Sequence, residues 1–393
     1  MKKIVVAAEV FSSNLGDYAI YDSLSSILEK QKIEVKALDL SLRRGWENDS
    51  ALLEGQTPLM TPVKNVLKKL RFYRLFASRV KWYVSSRKKS YDYWKELISD
   101  CDAVIVGGGQ LLTDTNRYFP LRISAVADIA KRLNKPIAFL GCGVGGELSR
   151  SGYKSYEEAL LNAKYISLRD KGSGNKLREY ARDRITFHIS PDLAFALPDS
   201  DVSERATNRV CGFNVMPLSI FHRFVPELRD VSESEYLRFW RRLAEGAAKE
   251  GLDIVIMTNG NPEDFSQAER INYELKKGGF NVRLLDRPRR PEELYEQVKN
   301  VDYLIATRMH AGIIGYTLGC KVATISWDQK VPYVWEAVNK SEVVVEPQII
   351  KDDAPWARIV GSFESIRAEI DPRKNARDVH DDVRTCLGSL GVL

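Results

Sequence analysis

Residues 103–114 read Ala-Val-Ile-Val-Gly-Gly-Gly-Gln-Leu-Leu-Thr-Asp, and residues 137–146 read Ile-Ala-Phe-Leu-Gly-Cys-Gly-Val-Gly-Gly. Each is a short apolar run ending in clustered glycines, as in a buried strand whose exit must bend sharply or let a ligand approach the backbone. Between them, Phe119–Leu133 carries helical spacing. A strand, a helix and a second such strand make a βαβ unit, so the strands run parallel and the two glycine turns share one rim at their carboxyl ends.

The same alternation continues outward. Ile4–Val10 and Val35–Leu40 lie upstream, Tyr165–Leu168 and Ile185–His188 downstream, with helical patterns at Tyr18–Lys30 and Tyr156–Ala163. Together they predict one doubly wound domain over 1–200. Between Leu197 and Asn208 the chain turns polar and loses periodicity, which marks a boundary. A second set follows: Val210–Val215, Asp253–Met257, Val282–Leu285, Tyr303–Ala306, Val322–Ser326 and Val343–Val345. Helices are expected near Glu233–Glu250, Asp264–Lys277, Pro291–Lys299 and Gly312–Leu318. This predicts a second domain over 201–365, then a helical tail at 366–393 that can pack back on the first domain. The expected fold is α/β, with two Rossmann-like domains of parallel strands facing across a cleft.

Composition narrows the function. Lys and Arg number 59 and Asp and Glu 53, a net +6 that is too mild to mark a nucleic-acid binder in a 393-residue chain. The hydrophobic fraction of 44% supports a sizeable core. Five cysteines without a C-x-x-C pair fit buried thiols in a reducing compartment. Ile4–Val10 is too short for a signal peptide and is interrupted by Glu9; nor does any window reach the roughly 18 apolar residues of a membrane span. The expected location is cytoplasmic. Residues 63–90 form a basic insertion without acidic residues, where Phe72, Trp82 and Tyr83 fall off the apolar stripe. Two readings stand level, a helix lying on the inner face of an anionic membrane or a buried face with a solvated basic edge, and nucleic-acid binding, with no recognised motif, comes well behind them.

Four segments carry candidate chemistry. Asn14-Leu15-Gly16-Asp17 opens a helix whose free N–H groups can hold an anion; taken alone it reads first as an ordinary βα turn capped by Asp17. Arg169-Asp170, at a strand end, can grip a carboxylate or phosphate or form a structural pair, and Pro191-Asp192 places another acid at a strand end. Arg308-Met309-His310-Ala311-Gly312 sits where a buried strand turns into a small-residue helix, with Lys330 after the next strand. A guanidinium, an imidazole, a helix N-terminus and an ammonium there make an anion site with a proton donor at hand. His188, His222, His310 and His380 are scattered without metal-ligand spacing, so no metal is expected.

These residues resemble the polysaccharide pyruvyl transferase family. The similarity rests on Asn14-x-Gly16-Asp17, Gly107-Gly108-Gly109-x-x-Leu112-x-Asp114, Gly141-x-Gly143-x-Gly145, Arg169-Asp170-x-x-Ser173, Pro191-Asp192, and Arg308-Met309-His310-Ala311 with Asp328-x-Lys330. The chain departs from the family at Cys142, often Gln there, and at Gly146, where Pro is frequent. The resemblance implies a fold like the GT-B glycosyltransferases, with the acceptor on the first domain and the donor on the second. It implies phosphoenolpyruvate as co-substrate, no other cofactor, and a sugar diol as acceptor, on an exopolysaccharide, capsule or cell-wall glycan or its lipid-linked precursor. The product would be a pyruvate ketal. Arg308, His310 and Lys330 fall on the family's donor-site positions, with Arg169; Asn14, Gly16, Gly108, Gly109 and Gly143 are expected along the rim. The chemistry needs an acid, assigned to His310, and a base, assigned to Asp17 or Asp192. A GT-B glycosyltransferase with a nucleotide-sugar donor is the alternative, and a non-catalytic glycan- or membrane-binding protein on the same fold is the third reading.

Overall fold

The computed structural model describes residues 1–46, 87–114, 118–145, 148–197, 208–365 and 372–393, residues 87–89 by backbone alone. Most of the basic segment 63–90, the polar boundary at 198–207 and the start of the tail at 366–371 lie outside the described residues.

The first sheet contains β1 (Lys3–Ala8), β2 (Glu34–Asp39), β3 (Ala103–Leu112), β4 (Ile137–Val144), β5 (Tyr165–Leu168) and β6 (His188–Ile189) in the order β2-β1-β3-β4-β5-β6. Every pairing is parallel, with Val6 opposite Ile105 and Val106 opposite Phe139. A parallel sheet has helices on both faces, which is why its strands read as continuous apolar runs; Ile4, Val5, Val6 and Val104 through Val106 have no exposed surface.

The glycines alter that reading in one respect. Gly107–Gly109 lie inside β3, which continues to Leu112, and Gly141 lies inside β4. Gly108, Gly109 and Gly141 have φ of 70°, 71° and 61°, and the register slips between Gly109 and Leu112 and between Phe139 and Cys142. The clustered glycines are irregularities within paired strands, where a residue with a Cβ would be strained.

The second sheet contains β7 (Val210–Asn214), β8 (Asp253–Met257), β9 (Val282–Leu284), β10 (Tyr303–Ala306), β11 (Lys321–Ile325) and β12 (Val344–Val345) in the order β12-β11-β10-β7-β8-β9. It too is wholly parallel. The helix Glu233–Lys249 starts with a capping box between Ser232 and Glu235 and buries Tyr236, Phe239 and Trp240. On either side of the β10–β7 junction the chain runs outward in opposite directions, so a crevice opens between the loops leaving these two strands.

The described chain divides into two compact units. One comprises Met1–Phe11, Leu24–Asp192 and His380–Leu393, the other Ser12–Ser23 and Leu193–Val379. In the first unit, Asp382 of the C-terminal helix Pro372–Ser389 accepts hydrogen bonds from Tyr165 Oη at 2.5 Å and Ser167 Oγ at 2.7 Å.

Candidate functional site

In the second unit, β10 ends at Ala306 and the chain turns through Thr307 and Arg308 into the helix Met309–Thr317. This helix is buried throughout, which its small residues permit: a Cβ on Gly312 would lie 2.5 Å from Thr324 Oγ1, and one on Gly315 2.5 Å from Leu304 Cδ2. The strand-to-helix turn positions both candidate residues, Arg308 and His310. Thr307 donates from N and Oγ1 to the carbonyl of Asn214 at the end of β7, and Arg308 N donates to Asn214 Oδ1 at 3.3 Å. Asn214 Nδ2 in turn donates to Asn259 Oδ1 at 3.0 Å, beyond the end of β8, and both asparagines are fully buried. The crevice is thereby tied together by amides from three strand ends.

Residues 12–17 enter the same site. Leu15 N donates to the Asn259 carbonyl at 2.9 Å, which sets the start of the helix Leu15–Lys30 against the loop after β8. Gly16 is required there, since a Cβ would lie 2.5 Å from His310 Cβ and 2.9 Å from Asn259 Nδ2. The next residue, Asp17, holds Oδ1 at 3.4 Å from His310 Nδ1, while its Oδ2 accepts from Ser12 Oγ and Asn14 Nδ2 at 3.3 and 3.2 Å. Burial alone would raise the Asp17 pKa; the hydrogen bond from His310 and the positive charges of His310, Lys330 and Arg308 outweigh it and hold the carboxyl below the ordinary range. An ionised Asp17 facing Nδ1 favours the tautomer that carries its proton on that nitrogen.

Arg308 is forked onto a second carboxylate. Its Nε and Nη2 donate to Asp264 Oδ2 and Oδ1 at 2.8 and 2.6 Å. Asp264 is fully buried in the first turn of the helix Pro262–Lys277, whose N-terminal dipole favours the anion. Burial nevertheless raises the Asp264 pKa, with Arg308 pulling the other way. The Arg308 side chain keeps 14% of its surface exposed, so with Nε and Nη2 committed the guanidinium can turn Nη1 to a ligand. Lys330 opens the helix Lys330–Ala337, where its N donates to Asp328 Oδ1 at 2.9 Å and its Nζ lies 4.4 Å from the centre of the Trp327 ring.

The remaining candidates lie in the first unit. Arg169, at the end of β5, donates from Nη1 to Asp192 at 3.0 Å, with Nε 3.5 Å from Asp170. Arg169 is 1% exposed and Asp192 not at all. Asp170 caps the helix Lys171–Ala181 by accepting from Ser173 N at 2.6 Å. Gly143 lies against the guanidinium, where a Cβ would sit 2.8 Å from Nε. The structure therefore gathers Asn14, Gly16, Asp17, Arg308, His310 and Lys330 in one unit, and Gly108, Gly109, Gly143, Arg169 and Asp192 in the other.

Three residues of the site escaped the sequence reading. Asn259 carries the one visible signal, an Asn-Gly pair after a predicted strand. Asn214 looks like the last residue of a strand, and Asp264 like a routine first-turn acid of a surface helix.

The arrangement can be set against known proteins. No curated protein sequence matches the chain. Among solved structures, the UDP-GlcNAc 2-epimerase from Methanocaldococcus jannaschii has a TM-score of 0.54 at 11% identity, over 98% of this chain and 99% of that one. MnaA from S. aureus, solved with UDP, has a TM-score of 0.49 at 11% identity, over 96% and 98% of the two chains. The spinosyn rhamnosyltransferase SpnG gives 0.41 at 10% identity, over 98% and 96%. At 11% identity the likeness to the Methanocaldococcus jannaschii epimerase is one of fold. The sequence comparison is more specific: the family model described as polysaccharide pyruvyl transferase matches residues 14–329, from Asn14 of the first turn to the residue before Lys330. With that match over most of its 393 residues, the chain belongs to the polysaccharide pyruvyl transferase family.

Proposed function

We propose that the protein transfers the pyruvyl group of phosphoenolpyruvate to two hydroxyls of a glycan acceptor, forming a cyclic ketal and releasing phosphate. The observation that carries this reading is the meeting, at one switch point, of an Asp17–His310 pair with the cations Arg308 and Lys330. Phosphoenolpyruvate carries a carboxylate and a phosphate, which call for cations, and its enol carbon calls for an acid.

The steps balance with these groups. His310, protonated and backed by Asp17, gives a proton through Nε2 to the enol carbon, and one sugar hydroxyl bonds to the resulting cationic C2. The proton of that hydroxyl returns to the imidazole. The C2–O bond to phosphate then breaks as the second hydroxyl attacks, and its proton leaves with the phosphate. Arg308 Nη1 and Lys330 neutralise the charge that gathers on the leaving group. Asp17 is better suited than Asp192 to assist proton removal, because the Asp192 carboxylate is fully buried and engaged by Arg169.

A thermal-shift titration of the full chain with phosphoenolpyruvate, UDP and GDP tests the donor. The expected outcome is a saturable rise with phosphoenolpyruvate alone, lost in Arg308→Lys, since an ammonium cannot fork onto Asp264 and reach a ligand together. A rise with the nucleotides alone would replace this reading with nucleotide-sugar glycosyl transfer. Phosphate release from phosphoenolpyruvate that depends on added galactosides or mannosides then tests the reaction.

A further inference from the structure

Opposite charges and a pair of rings meet where β1 and β2 end. Ala8 pairs with Asp39 at the carboxyl ends of these parallel strands, the end of an open α/β sheet at which ligands bind. Asp39, its side chain 1% exposed, accepts from Arg43 Nε through Oδ1 and Oδ2 at 3.3 and 3.2 Å and from Phe11 N at 2.8 Å. Glu9 accepts from Arg43 Nη2 at 2.7 Å and from Ser41 Oγ at 2.5 Å. The Phe11 and Trp46 rings meet edge to face, 5.6 Å apart at 89°, and both residues are half-buried. One buried carboxylate thus sets the arginine and the first of the rings together. Two features mark the group as more than a structural ion pair. Arg43 and Glu9 keep 21% and 19% of their side chains in solvent, where Arg169, enclosed in its own pair, keeps 2%. Arg43 Nη1 has no hydrogen-bond partner among the described residues, which leaves one edge of a rigidly held guanidinium beside a carboxylate, a group that accepts several hydrogen bonds at once.

The chemistry limits the occupant. An oxyanion would bring a third acid to a guanidinium that already meets two. A lipid or protein surface would need a broader apolar patch than two half-buried rings. A neutral pyranose fits: each hydroxyl both accepts and donates, so neighbouring hydroxyls can accept from the guanidinium edge and donate to the carboxylate, while the C–H face lies against an aromatic ring. We infer that Glu9, Arg43, Phe11 and Trp46 form a subsite for a neutral pyranose ring of the glycan acceptor, with Arg43 Nη1 and the Glu9 carboxylate on its hydroxyls and the Phe11–Trp46 pair against its face. As the acceptor's subsite this rests on the pyruvyl-transfer reading, which puts the acceptor on the first domain; all four residues belong to the first unit.

Saturation-transfer NMR of the full chain with methyl β-galactoside, methyl α-mannoside and galactose 1-phosphate tests the subsite without requiring turnover. The expected result is transfer to at least one methyl pyranoside, weakened about tenfold in affinity by Arg43→Lys, whose ammonium cannot engage Asp39 and Glu9 and still offer an edge. Phe11→Leu, which keeps apolar bulk but removes the ring, should weaken it by a similar factor. Urea unfolding reports whether each variant folds, and Phe11→Leu leaves the ion pairs in place, so the test survives an unfolded Arg43→Lys. Three results would overturn the assignment: no transfer to either methyl pyranoside, transfer that a folded Arg43→Lys or Phe11→Leu leaves intact, or an Arg43-dependent preference for galactose 1-phosphate. If the methyl pyranosides bind through Arg43 and Phe11 but phosphoenolpyruvate does not raise the melting temperature, the pyranose subsite stands and the pyruvyl-transfer reading fails. The opposite pair of results keeps that reading and removes the subsite.

Discussion

Each unit holds an arginine at the end of a strand, paired with a buried aspartate. In the first, Arg169 is 1% exposed and binds the fully buried Asp192 through Nη1. In the second, Arg308 engages the equally buried Asp264 through Nε and Nη2, with 14% of the arginine side chain still in contact with solvent. The chemistry of the two pairs is the same and the access differs. An arginine enclosed on every side spends its charge on its partner. One that is forked from behind is held rigid for whatever approaches the remaining edge. The sequence motif marks Arg169 and Arg308 alike as anion binders, and solvent access is what distinguishes them.

The largest expected effect follows from the enclosed pair. Arg169→Ala takes from the fully buried Asp192 the guanidinium that donates to it at 3.0 Å and should lower stability by about 3–5 kcal/mol, measured by urea unfolding. An Arg169→Ala protein of unchanged stability that no longer responds to phosphoenolpyruvate would reverse the comparison, making Arg169 a ligand residue. Next comes His310→Gln, expected to fold normally and to lose about 10²–10⁴ in turnover, read from phosphate release. Turnover close to that of the unaltered protein would remove the imidazole from the mechanism. Gly16→Ala sharpens the geometry: the added methyl meets His310 Cβ, and the imidazole must move from Asp17. A loss of up to about a hundredfold in turnover, with little change in donor affinity, is expected from such a displacement.

The smallest effect is a pH dependence. The native pKa of Asp17 is depressed, so its contribution to stability is complete above its unfolded value, near about 4, and fades as pH falls through the lower native value. Asp17→Asn should therefore flatten the acid limb of the stability curve below about pH 4, leaving the curve at neutral pH parallel to that of the unaltered protein. A variant with the full acid-limb slope would mean that the His310 contact does not stabilise the carboxylate.

Much of the fold is legible because strands and helices of a parallel α/β protein are written in local periods. Tyr303–Ala306 and Asp253–Met257 are read directly from apolar runs, and both are strands. The segment at Gly107–Gly109 reads as the end of a strand but lies within one, because pairing with β4 carries the backbone through the glycines. Arg308 and His310 stand out in the sequence because cationic residues at a buried strand end need a reason to be there. Asp264, their neighbour in the structure, does not stand out, since an acid in a first helical turn has an ordinary explanation in the helix dipole.

By itself the sequence determined the alternation of elements, the parallel sheets, and the strand-to-helix turn that carries Arg308 and His310, because each depends on residues a few positions apart. Tertiary structure alone decided the partners. Residues Ser12–Ser23 fold with the second unit, so that Asp17 faces His310, and Arg308 forks onto Asp264, 44 residues before it in sequence. Those contacts follow from the strand order, which places the ends of β7, β8 and β10 side by side. A charge's surroundings, and with them its pKa and its freedom to bind, are set by groups that sequence distance does not reveal.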